Sequence, residues 1–220
     1  YYFICHQLSS SSHVKIKTMA TKILALLFVP VFFSFSTFHT ELTQKERADA
    51  VSYFTETQNN LDASLKGLTA EQLRWRPNDS TWSVADCVEH IALSEKNLFD
   101  WAMSTLKEAA NPARRAELKM SDEMVKKVIT DRSFKVKTRE GFIPTGQFGD
   151  AWKSLEVFKA RRSALIAYVQ ETREDLRNHF AELPFGLIDS YQLLLFLSAH
   201  TQRHILQIEE VKANPAFPKK

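Results

Sequence analysis

From Glu41 onward, apolar residues recur at steps of three and four in four long stretches, a spacing that only helices with one buried face satisfy. Val51, Phe54, Gln58, Leu61 and Leu65 mark the first, and Gly67 is placed as its stop signal. The second opens at Ser83, with Asp86 at the capping-box position, and continues through Val84, Cys87, Ile91, Leu98 and Ala102 towards Asn111-Pro112. Trp152, Leu155, Phe158, Arg162, Leu165, Val169 and Leu176 form the third. The fourth starts near Asp189, has Gln192 in the capping position, and carries Leu193, Phe196, Leu197, His200, His204, Ile208 and Val211 before Asn214-Pro215.

Between the second and third stretches lies a long connection, helical around Asp122 to Ile129 and then irregular, with Gly141, Gly146 and Gly149 close together. Strand-like alternation is weak throughout, Phe134 to Thr138 being the one short candidate. The expected fold is all-α: a four-helix bundle with a long crossover between helices two and three.

The first forty residues have a different character. Met19 followed by Lys22, the apolar run Ile23 to Phe35 and the small residues of Ser34-Phe35-Ser36 read as a signal peptide over 19–40. Residues 1–18 then read as non-native upstream translation, and 41–220 as the mature domain. The apolar run is shorter than the roughly 20 residues of a membrane span and contains Pro30, so no stable membrane anchor is expected. Export to a periplasmic or extracellular location follows, with the new N-terminus between Thr37 and Glu41.

Lys and Arg number 29 against 26 Asp and Glu, but Lys15, Lys17 and Lys22 all precede Glu41, so the remainder is balanced. A broad basic face for nucleic acid is thereby excluded as an expectation. Cys5 lies in the leader, which leaves Cys87 alone and no disulfide scaffold. Cys87 reads as a small core residue, and Trp75, Trp82, Trp101 and Trp152 as core aromatics with pocket lining as the alternative. Glu209-Glu210 and Arg161-Arg162 read as solvated faces, and His179 as exposed.

His200 and His204 stand one turn apart on the apolar stripe of the fourth helix, so both imidazoles share a face and point inward. Such a pair can chelate a metal ion, or be two buried histidines with ordinary hydrogen bonds. His90, at the margin of the second helix's stripe, can reach the same interior, and three imidazoles with an open position make a catalytic metal site. The run His200-Thr201-Gln202-Arg203-His204 lacks the glutamate of the zinc-protease motif, so peptidase chemistry is not expected.

The segment Leu68 to Ala92, LTAEQLRWRPNDSTWSVADCVEHIA, resembles the DinB-like (DinB/YfiT) superfamily, as does LLLFLSAHTQRHILQIEEV at the C-terminal end and the PTGQF segment from Pro144 to Phe148. The resemblance implies a four-helix bundle with a crossover and a divalent metal, nickel or zinc, held by His90, His200 and His204. It also implies hydrolase or thiol S-transferase chemistry on a small-molecule substrate, in which the metal activates water or thiol. No catalytic residue beyond the ligands is indicated. The alternative is a non-catalytic metal-binding or interaction module, with a homodimer as a possible assembly and a structural or empty histidine site.

Overall fold

The computed structural model describes residues 41–219; the expected leader and its cleavage point lie outside them. Among the described residues six α-helices and one hairpin follow in order: α1 (Gln44–Leu65), α2 (Ala70–Arg74), α3 (Val84–Thr105), α4 (Asp122–Thr130), α5 (Ala151–Glu171), β1 (Phe180–Leu183), β2 (Gly186–Asp189) and α6 (Ser190–Lys212). A 3₁₀ turn at Pro112–Glu117 lies between α3 and α4. The four expected helices are α1, α3, α5 and α6. They form the bundle, with α3 and α1 each packing on α5 and α6. Among the described residues no helix is long and apolar enough to cross a membrane.

The helix starts follow from side chains that satisfy the backbone N–H groups a first turn leaves unpaired. Ser83 Oγ accepts from Asp86 N at 3.1 Å while Asp86 accepts from Ser83 N at 2.7 Å. Asp189 and Gln192 make the equivalent exchange at the head of α6. At the other end of α1, Gly67 adopts φ +74°, a conformation that stops a helix and that a Cβ would resist.

The interior divides in two. One apolar cluster gathers Phe54, Leu98, Leu165, Val169, Leu193 and Leu194, and the other Leu61, Val88, Ile91, Phe158, Ile205 and Ile208. Between these levels sits a polar layer built around Arg162, which is 0% exposed. Its guanidinium donates from Nε and Nη2 to Glu95 at 2.5 and 2.9 Å, from Nη1 to Phe54 O and Thr57 Oγ1, and from Nη2 to Thr201 Oγ1.

Four sequence expectations need correction. Arg162 is not on a solvated face: paired and fully hydrogen-bonded, an arginine is tolerated where an apolar side chain would otherwise sit. Trp152, expected on the core stripe, is 43% exposed; in the first turn of α5 the inward positions are taken by Ala151 and Ser154, and Trp152 lies between them on the outer side. His179 is half-buried and its Nδ1 lies 3.1 Å from Thr105 O. Phe134 to Thr138 forms no strand; the hairpin is at Phe180–Asp189, where strands of four residues, one of them buried at three successive positions, show no alternation to detect.

Candidate metal centre

α3 and α6 lie against each other, and that contact carries the site. His90 projects from the second turn of α3; His200 and His204 are neighbours one turn apart on α6. The three side chains meet. His200 Nε2 stands 3.3 Å from His90 Nε2 and 3.2 Å from His204 Nε2. A tetrahedral metal with bonds of about 2.0–2.1 Å separates its donors by roughly 3.3 Å, which these two separations match, and all three donors lie within 4.8 Å of one another.

The proton positions sharpen the fit. His90 Nδ1 lies 2.6 Å from Phe142 O, an acceptor only, so it must donate there. His204 Nδ1 lies 2.9 Å from Gln207 Oε1, which also faces Arg132 Nη1, and Arg132 is itself clamped by both oxygens of Glu210 at 2.6 Å. Both Nε2 atoms therefore present lone pairs to His200 Nε2. His200 has at most one proton to answer two acceptors, and its own Nδ1 is buried without a partner. Whichever tautomer His200 adopts, polar atoms are left unmatched; Ser94 Oγ reaches His90 Nε2 only at 3.5 Å, and a cation at the centre would meet the three Nε2 lone pairs together.

Electrostatics point the same way. Burial lowers the His90 pKa to about 4, the hydrogen bond to Phe142 O only partly opposing it. Burial lowers His200 and His204 well below the ordinary value, His90 lowering His200 further and both His200 and His90 lowering His204. The rings are neutral at pH 7, the form that ligates metal. Among the described residues no further His, Cys, Asp or Glu completes the cluster. Three donors would leave one position of a tetrahedral ion open, as in catalytic rather than closed structural sites.

Around the triad the walls are aromatic. The Trp82 ring lies 4.7 Å from His90 and 6.0 Å from His204, and Phe196 stacks on His200 at 6.1 Å. Trp82 also packs against the apolar cluster of Val88 and Ile91, as expected of a core aromatic. His90 and His204 are buried, whereas His200 keeps partial exposure. Burial pushes the Cys87 thiol up, so Cys87 is a core residue with no thiolate to offer. Sequence reasoning passed over Phe142, Glu89, Gln207 and Arg132. Gln207 had a detectable signal, one turn beyond His204, but a backbone carbonyl supplied by the crossover has none.

The chain is similar to known proteins. The family model of the DinB superfamily matches residues 53–208, which include all three histidines. The chain belongs to the DinB superfamily. Among its DinB-like relatives, the uncharacterized protein YuaE of Bacillus subtilis (strain 168) is 28% identical over 165 residues, covering 74% of this chain and 96% of YuaE. Among solved structures, YfiT from Bacillus subtilis matches with a TM-score of 0.52 and 18% identity, covering 79% of this chain and 89% of YfiT. YfiT is described as "a probable metal-dependent hydrolase with an unusual four-helix bundle topology". At that identity the likeness establishes the shared all-α bundle.

Proposed function

We propose that this protein is a divalent-metal-dependent enzyme of the hydrolase kind, with His90, His200 and His204 as the ligands of zinc or nickel. The observation that carries the reading is the placing of His200 Nε2 at 3.3 and 3.2 Å from the Nε2 atoms of His90 and His204, with all three donors within 4.8 Å of one another and two of them stripped of protons by acceptors on the far side of their rings. When bound, such an ion supplies Lewis acidity and lowers the pKa of a water or thiol at its open position. The chain's own residues do the rest: Phe142 O and Gln207 fix the tautomers of His90 and His204, while Trp82 and Phe196 keep bulk water from the ligands' faces. A small molecule approaches from the side of His200, the ligand that retains exposure.

Water is favoured over thiol as the activated group because the leader beginning at Met19 supports export, and low-molecular-weight thiol cosubstrates are cytosolic. Metal analysis of the purified protein, followed by a hydrolase substrate screen with and without chelator, tests the proposal. About one ion per chain and a chelator-sensitive activity are expected. A protein that purifies without metal and gains no thermal stability from added zinc or nickel overturns it.

A further inference from the structure

The crossover segment 141–147 lies against α3 through a group that the metal reading leaves unused. Glu89, the neighbour of His90, is 6% exposed, and among the described residues no lysine or arginine forms an ion pair with it. Its charge is met by backbone alone. Oε1 accepts from the N–H groups of Thr145, Gly146 and Gln147 at 3.0, 2.9 and 3.0 Å, and Oε2 accepts from Gly146 N at 2.9 Å. Successive N–H groups turned to one point form a nest for an anion, and here the anion is a side chain of the protein itself. Gly146 makes the turn possible with φ +80°. Beyond Phe142 the tie to α3 is this one: Thr145, Gly146 and Gln147 are exposed and Ile143 is 47% exposed, while Phe142 itself packs against the core with its N–H on Arg139 O at 3.2 Å, and Asn97 Nδ2 donates to Gly141 O at 2.9 Å.

We propose that Glu89 is a positioning residue for the metal centre, acting through Phe142. By capturing residues 145–147 it anchors the chain just beyond Phe142, and Pro144, with its fixed φ, makes the short link between them stiff. The Phe142 carbonyl is thereby kept 2.6 Å from His90 Nδ1, which fixes the His90 proton on the outer nitrogen and aims Nε2 at the ion. Two adjacent residues of α3 thus use one loop: Glu89 holds it, and His90 is oriented by it.

This inference rests on the metal-centre reading, and the test separates the two. Zinc affinity is measured by chelator competition for the wild type, Glu89→Gln, Gly146→Ala and the double variant. Each protein's cobalt(II) absorption spectrum and its thermal midpoint in excess chelator are also recorded. Glu89→Gln keeps the shape but turns an N–H donor towards the N–H groups of the loop. Gly146→Ala meets no atom within 4 Å and disturbs only the backbone conformation at an exposed position, so it carries the test should the glutamine variant fail to fold.

The expected result is a roughly 10–100-fold weaker zinc affinity for Glu89→Gln, the scale of losing the group behind a metal-bound histidine. A smaller loss in the same direction is expected for Gly146→Ala, with an altered cobalt spectrum in both and a double variant no weaker than Glu89→Gln alone. Unchanged affinity and superimposable cobalt spectra, with only the chelated midpoint lowered, would make Glu89 a structural tie and overturn the inference while leaving the metal centre intact. A wild type that binds neither zinc nor cobalt overturns both.

Discussion

At the scale of residues, the site works by subtraction: acceptors behind His90 and His204 remove the protons that would otherwise occupy the space of an ion. His204→Ala should weaken metal binding by more than the roughly 10–100-fold seen when only a supporting partner is lost, whereas His179→Ala, whose ring meets Thr105 O away from the cluster, should leave binding unchanged by titration calorimetry. The pH dependence has a definite sign. The folded pKa of His90, about 4, lies below its ordinary value near 6.5. Its contribution to stability is therefore complete above about pH 6.5 and is lost as pH falls through about 4. In excess chelator the thermal midpoint should drop over that interval, and His90→Gln should flatten the profile. Removing Arg162 addresses a different risk. Arg162→Met leaves the Glu95 carboxylate buried and unpaired and should cost about 3–5 kcal/mol in urea unfolding, while Arg162→Met combined with Glu95→Leu should recover most of it. His200 and His204 were legible in the sequence because they share a helix face one turn apart, whereas His90 was marked out by its place at the margin of the second helix's stripe and by the family resemblance. The identity of Arg162 as a core residue was half legible: its spacing placed it on the buried stripe, but its charge argued the other way, and the deciding partners on α1, α3 and α6 are remote in sequence.

At the scale of elements, starts and stops were the most readable features, since a capping exchange is local and spans three residues. Ser83→Ala should cost about 0.5–2 kcal/mol in a urea titration, and Ser83→Gly only a few tenths. α3 carries His90 in its second turn, so fraying from an uncapped end reaches the site, and zinc affinity should fall in parallel with stability. The hairpin was illegible for the opposite reason. Its strands are held by pairing with each other, Phe180 opposite Asp189 and Leu183 opposite Gly186, and β2 is covered on both faces, so no period of two survives in the sequence. The crossover was legible as long and glycine-rich. Its attachment to Glu89 was not, because backbone N–H groups belong to every residue and leave no trace in side-chain chemistry.

At the scale of the whole molecule, the four-helix architecture and its crossover could be read from spacing alone, and what could not be read is the order in which the parts become useful. Two of the three imidazoles, and Ser198 and Thr201 from the polar layer, belong to α6, the last helix among the described residues. A chain emerging from the ribosome therefore has helices before it has a place for an ion. If the leader directs the chain through a translocon while unfolded, the protein crosses without its metal and meets its ion only after α6 has docked on the far side. The supply of metals in that destination, rather than in the compartment of synthesis, would then decide which ion the three imidazoles hold.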